Sequence, residues 1–344
     1  MIKRISAVTA ALALATVGFI VPAQAATTES DCGKTGAFCI GLVTDLGKVD
    51  DKSFNQSAWE GAKAGATKAG GFAKYIETTD SKDYAKNIAL FGDKGYNVIV
   101  TVGFNMGDAT AAASVLYPKV KFIGVDQFNS STATNNTGLI YDEDKAGFLA
   151  GYLAAYLTKS NKVGAVFGMK EVLPVRKFGE GYVNGIAYGA KERSKKIKST
   201  VVYHAAGDNA FSDPAWGATT ATQLLTQGYD VIFGAGGSTG NGANAKVAQK
   251  AGAFCIGVDT DQYYTVPEAH ACMVTSAEKK LVLGVSTLIG QVKAGTIKGG
   301  NYTGQVGLSP FHDLDSKVPA VVKVRLKKLT VKVLDGTVPS GFKG

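Results

Sequence analysis

GYNVIVTVGFNMGDATAAASVLYPKVKFIGVD, residues 95–126, lines up without a gap on GYDVIFGAGGSTGNGANAKVAQKAGAFCIGVD, residues 228–259, at a constant offset of 133. Gly95-Tyr96 meets Gly228-Tyr229 at the front, and Gly124-Val125-Asp126 meets Gly257-Val258-Asp259 at the end. Upstream, residues 40–43 fall on 164–167, Phe54 on Phe178 and Gly61 on Gly185, all at an offset of 124. One matching strand arises easily by chance. Two blocks in the same order indicate a duplicated unit, so the chain reads as two related lobes. Its 344 residues also exceed the size at which a single core keeps growing.

Working outward, each half alternates short β-rich runs with helical patterns. Strands fit 39–43, 74–77, 97–102 and 121–125, with helices near 55–69, 82–93 and 107–116. In the second half strands fit 162–167, 199–204, 230–234 and 253–258, with helices near 178–193, 214–227 and 241–251. Such alternation with short connections predicts an α/β fold of parallel sheets covered by helices. Ligands of such sheets bind beyond the carboxyl ends of the strands. Asp45, Asp126 and Asp259 stand at or just after strand ends. A single aspartate there more often caps a helix or turns a loop. Three at equivalent ends point instead to a cleft, with Asp126 and Asp259 entering from opposite walls.

The N-terminus reads as a secretory leader: Lys3 and Arg4, an apolar run from about 7 to 21, and the small-x-small pattern Ala23-Gln24-Ala25. Cleavage near Ala25 leaves a chain of about 319 residues with no further apolar stretch of membrane-spanning length. No cysteine lies at the cleavage point for lipid attachment, so a free periplasmic protein is expected. Without Lys3 and Arg4 the net charge falls from +9 to +7. The lysine clusters at 191–198 and 323–332 lack interleaved aromatic residues and read as solvated faces, not a nucleic-acid surface. Cys32, Cys39, Cys255 and Cys272 suit an oxidising compartment. Of the three connectivities, the local pairs 32–39 and 255–272 are the expected ones. His204, His270 and His312 form no short-spaced cluster, so no metal site is expected.

The motifs VTDLGKVDDKSFNQSAWEG (43–61), VGFNMGDAT (102–110), FIGVDQ (122–127), EDKAGFLAGYLAA (143–155), FSDPAWG (211–217), GAGGSTGNG (234–242) and GVDTDQ (257–262) resemble the basic membrane protein family of solute-binding proteins, which includes purine nucleoside receptors of ABC importers. The resemblance implies a periplasmic binding protein of type I: two Rossmann-like lobes joined by three crossover strands and closing on a ligand. It implies a monomer that delivers its ligand to an inner-membrane permease, without a cofactor. By the same resemblance Asp45 and Asn55 match the base-binding end. Phe54 and Phe211 match rings that stack on a purine, and Asp126 and Asp259 match carboxylates near the ribose hydroxyls. Gly236 lies alongside, and Lys279 stands in the family's S-x-x-K position next to Lys280. The expected lobes are 38–152 plus 275–298, and 153–274 plus 299–344.

Physical chemistry supports these residue types. Two aromatic rings hold a flat heterocycle, and ionised carboxylates accept short, charge-assisted bonds from vicinal hydroxyls. Other readings compete at single positions. Phe54 could staple the helix that follows it, Phe211 could be core with Trp216 as a rival ring, and Phe178 could pack its helix. Asn105 and its repeat partner Ser238 could cap helices or orient ligand. Gly236 to Gly240 also fits the G-x-S-x-G of a hydrolase elbow, with Asp259 or Asp261 and His270 or His312 following in triad order. The equivalent segment 103–107 keeps its outer glycines without a serine, which favours backbone turning over catalysis. Gly234, Gly236 and Gly240 miss the dinucleotide fingerprint by one residue. A riboflavin-like heterocycle or a sugar is the alternative ligand on the same fold.

Overall fold

The computed structural model describes residues 26–344, so the leader expected at 1–25 lies outside the described residues. Twelve strands are formed among them: β1 Cys39–Thr44, β2 Phe72–Ile76, β3 Val98–Val102, β4 Lys121–Val125, β5 Asn136–Ile140, β6 Lys162–Met169, β7 Lys198–His204, β8 Val231–Ala235, β9 Phe254–Asp259, β10 Met273–Lys279, β11 Gly300–Thr303 and β12 Val306–Leu308. They make two six-stranded sheets, in the orders β11-β5-β4-β3-β1-β2 and β12-β10-β9-β8-β6-β7. Every pairing is parallel except β10 with β12.

Side chains alternate across each sheet, so each builds a core on both faces. In the first, Ile40 and Leu42 of β1 pack with helices Phe54–Ala69 and Leu281–Lys293, while Cys39 and Val43 face the other layer beside Ile88 and Phe91. In the second, Ala165 and Phe167 pack with helices Glu143–Leu157 and Leu173–Glu192, and Val166 faces the opposite layer with Leu224 and Val247. The chain passes between sheets after β5, after β10 and after β11, which are the three crossovers.

Sheet membership moves the expected lobe boundaries. The division at 152/153 would cut helix Glu143–Leu157, whose buried face belongs to the second core. β10 lies in the second sheet and β11 in the first, opposite to the expected assignment of residues 275–279 and 300–303. Sheet edges, not hydrophobic pattern, decide these memberships. Strand and helix bounds otherwise fall within a few residues of expectation, and the two disulfides are Cys32–Cys39 and Cys255–Cys272.

The sequence repeat is also a backbone repeat. Gly95 and Gly228 have φ of 71° and 84°, Gly103 and Gly236 115° and 111°, and Asp126 and Asp259 60° and 66°. Aspartate is among the few residues with a side chain that visit this left-handed region. The same turn therefore aims a carboxylate off the end of β4 in one lobe and off β9 in the other.

Candidate functional site

Between the carboxyl ends of the sheets lies a cavity of about 350 Å³, within the size range of small-molecule sites. Asp45, Phe54, Asn55, Asp126, Phe211, Gly236, Asp259 and Lys279, all eight residues singled out from the sequence, line it. Asn105, Phe178 and Ser238 do too, whereas none of the three histidines does. Trp216 instead sets its ring edge-on to His204, with centroids 4.6 Å apart.

Lys279, the last residue of β10, is 4% exposed and organises the cavity floor. Its Nζ lies 2.5 Å from Asp126 Oδ2, 3.5 Å from Asp259 Oδ1 and 3.9 Å from Glu143 Oε1. The Phe54 ring centroid is 4.5 Å away, a cation–π contact. Burial works against the lysine's charge, but Asp126, Asp259 and Glu143 outweigh it and hold Lys279 well above the usual lysine range. Lys280 turns away to pair with Glu278. Asp126 is pushed up by burial, against the pull of Lys279, and its Oδ1 has no hydrogen-bond partner among the described residues. Asn55 Oδ1, equally buried, has none either.

At the other end, Asp45 leaves β1 and accepts the Gly47 amide at 3.1 Å. Burial pushes it up to about 6, while the Gly47 amide and the Asn55 side chain pull it down. A Cβ at Gly103 would run into this carboxylate, which is a steric reason for glycine there beyond its φ. Phe211 presses on Gly168, where a Cβ would likewise meet the ring. It therefore packs at the margin of the second core and lines the cavity at once. Phe178 does the same, 3% exposed and edge-on to Phe233. Phe54 is the first residue of its helix, and the helix capping falls to Asp51.

Asp51 went unrecognised in the sequence. Its carboxylate accepts the amides of Ser53, Asn55 and Gln56 at 2.9, 2.9 and 3.1 Å, and burial pushes it up to about 7. An aspartate three residues before a helix start is a readable capping signal. Its loop also reaches the opposite lobe. Ser53 Oγ donates to Asp259 Oδ2 at 2.8 Å, Asn241 Nδ2 to the Asp51 carbonyl at 2.9 Å and Thr265 Oγ1 to the Lys52 carbonyl at 2.7 Å. Lys52 pairs with Glu268 at 3.2 Å. Phe104, half-exposed at the cavity wall, was also missed, although it follows β3 in the same place that Gly237 follows β8.

Comparison with known proteins follows the same lines. The model of a family described as Bmp, ABC transporter substrate-binding protein PnrA-like, matches residues 40–333. The chain is 33% identical over 276 residues to the ABC transporter nucleoside-binding protein BmpA of Lactococcus lactis, covering 77% of this chain and 76% of that one. It is 32% identical over 325 residues to a CD4+ T-cell-stimulating antigen of Listeria monocytogenes, covering 88% and 87%. Among solved structures, an ABC transporter solute-binding protein from Aeropyrum pernix superposes with a TM-score of 0.78 at 23% identity, covering 88% of this chain and 92% of that one. That likeness establishes a shared two-lobed fold of the periplasmic binding protein type I kind. A dimeric Lac repressor shares the fold more loosely, at a TM-score of 0.54 and 12% identity over 79% of this chain and 97% of that one.

Proposed function

Because the chain belongs to the Bmp family of PnrA-like ABC transporter substrate-binding proteins, we propose that its interlobe cavity captures a purine nucleoside and hands it to an ABC permease in the inner membrane. The observation that carries this is the joining, in one cavity, of aromatic faces with a buried carboxylate oxygen that has no partner: Phe54, Phe178 and Phe211 beside Asp126 Oδ1. A purine supplies flat faces to the rings, and a ribose supplies hydroxyl donors to Asp126 and Asp259. Asp45 and Asn55, at the far end, take the polar edge of the base. A nucleotide fits less well, since its phosphate would meet five lining carboxylates, Asp45, Asp50, Asp51, Asp126 and Asp259, against two lysines, Lys48 and Lys279.

Capture in this scheme involves no bond making or breaking. Ligand bridges the lobes, favours the closed arrangement by its differential affinity for it, and the closed monomer docks on the permease. Export through the N-terminal leader places it in the periplasm. The test is thermal denaturation of the purified protein with guanosine, adenosine, inosine, riboflavin and a panel of hexoses. A ribonucleoside at about 100 times its Kd raises Tm by several degrees. A rise with riboflavin or a hexose and none with any nucleoside would reassign the ligand.

A further inference from the structure

Behind the cavity lies a pair of charged residues that does not line it. Glu143, the first residue of helix Glu143–Leu157, is 1% exposed, and its Oε2 lies 2.6 Å from Lys177 Nζ. Its other oxygen faces Lys279 Nζ at 3.9 Å, on the side away from the cavity. Lys177 also lies 3.9 Å from Asp144 Oδ1 and donates to the Tyr141 carbonyl. It immediately precedes Phe178, so helix Leu173–Glu192 turns an aromatic ring to the cavity and an ammonium to the charges behind it. Two of the three crossovers meet here, because Glu143 follows β5 and Lys279 ends β10.

We infer that Glu143 and Lys177 are a positioning pair that holds Lys279 between the Asp126 and Asp259 carboxylates of the two lobes, and so sets how strongly those carboxylates accept ligand hydroxyls. The inference rests on the proposed nucleoside reading. Its physical basis is a count of buried charges. Asp126, Asp259, Glu143 and Asp144 face Lys279 and Lys177, two carboxylates more than the lysines balance. An ionised Glu143 draws on Lys279, leaving Asp126 and Asp259 more of their own acceptor strength. A neutral Glu143 releases Lys279 to them and weakens the hydroxyl contacts.

The groups that act on Glu143 are Asp126 at the end of β4, Tyr141 after β5, Lys177 on the next helix and Lys279 at the end of β10, while Asp144 on its own helix shares Lys177 and Asp259 at the end of β9 shares Lys279. Burial first, and then the Asp126 charge, push Glu143 up to about 7, with Lys279 and Lys177 pulling the other way. The neutral-to-ionised change therefore falls inside the working range of pH.

The experiment measures guanosine, adenosine and inosine affinity from pH 6 to 9 in the wild type, in Glu143→Gln, and in the neutral pair Glu143→Gln/Lys177→Gln, which leaves no lysine stranded should the single variant fold poorly. Thermal unfolding of the ligand-free proteins runs from about pH 4.5 to 8, which spans the window in which the Glu143 proton differs between native and unfolded chains. Wild-type affinity rises several-fold as pH increases through 7. Both variants stay weaker than the wild type above 7 and lack its step there, keeping only the Asp45 limb at the acid end. Without ligand, wild-type Tm falls as pH rises from about 4.5 to about 7 and levels off above it, because in that window the native state holds the Glu143 proton that the unfolded chain has lost. The variants show a smaller fall, the remainder coming from Asp45 and from Asp51, whose carboxyl is likewise lifted to about 7. Parallel profiles in wild type and variants would overturn the inference. If no nucleoside binds the wild type, the nucleoside reading fails on its own, and the ligand-free profiles still decide: a fall reduced in the variants upholds the pair, and an unchanged one overturns it.

Discussion

Asp45 shows how much one carboxylate depends on what surrounds it. Burial under Gly103 removes water from it and lifts it to about 6 against the pull of the Gly47 amide and the Asn55 side chain, so it is ionised at neutral pH and protonates in mild acid. In its proposed role as the acceptor for a base N–H it acts in the ionised form. Ligand affinity should therefore fall about tenfold per pH unit below 6, and Asp45→Asn should bind more weakly at pH 7 but lose that acid limb, as titrations from pH 5 to 8 would show. The same shift has the opposite sign for the empty fold. Native Asp45 keeps its proton between about 4 and 6 where the unfolded chain has lost it, so stability declines as pH rises across that window. Asp45, Asp126 and Asp259 were legible because strand ends are local signals, whereas Phe54, Asn55, Phe211, Gly236 and Lys279 were named by family resemblance; all eight line the cavity. Glu143 stayed hidden because an acid in the first turn of a helix reads as a complement to the helix dipole. Only tertiary burial makes it a charge that needs partners.

Helix contacts explain what was legible at the next scale and what was not. Gly147 and Gly151 on helix Glu143–Leu157 press on the backbone of helix Leu173–Glu192 at Phe178 and Tyr182, and Gly181 and Gly185 press back at Asp144 and Phe148. A Cβ at Gly151 would strike the Tyr182 carbonyl, and one at Gly185 the Phe148 carbonyl. In the first lobe Gly61 and Gly65 take the same role against Val285 and Ile289 of helix Leu281–Lys293. The aligned pair Gly61 and Gly185 was thus a packing signal, which the repeat exposed before the partners were known. Those partner helices were missed. Helix Glu143–Leu157 is buried almost all round, so it has no amphipathic period to read, and β10, β11 and β12 join sheets whose other strands are distant in sequence. Two substitutions separate packing from propensity. Gly151→Val should cost about 3 kcal/mol or more in denaturant unfolding, since backbone cannot yield as a side chain does. Gly290→Ala, in a helix and facing open space, should gain about 0.5–1 kcal/mol. Equal effects at the two sites would refute this view of the helix pairs.

In the molecule as a whole, two lobes from one duplicated unit bring equivalent strand ends face to face. The repeat at 95–126 and 228–259 made that architecture legible, while the exact crossover points were not, because they depend on which sheet edge a short strand joins. The Asp51–Ser53 loop of the first lobe enters the second, held by Asn241, Thr265 and Glu268. These contacts exist only while the lobes are together. Asn241→Ala combined with Thr265→Val should therefore speed ligand release several-fold in stopped-flow measurements, with little change in the association rate. A slowed association with unchanged release would assign the loop to recognition and not to closure.

The most direct test is calorimetric titration of the folded, ligand-stripped protein with a ribonucleoside and its 2′-deoxy form, repeated with Asp259→Asn, which keeps a residue that tolerates the left-handed turn. Micromolar or tighter binding of the ribonucleoside is predicted, at least tenfold weaker for the deoxy form and lost in the variant, because a buried carboxylate left without its hydroxyl is penalised. Equal affinity for the two forms, or no heat with any nucleoside, would contradict the assignment of Asp126 and Asp259 to a ribose.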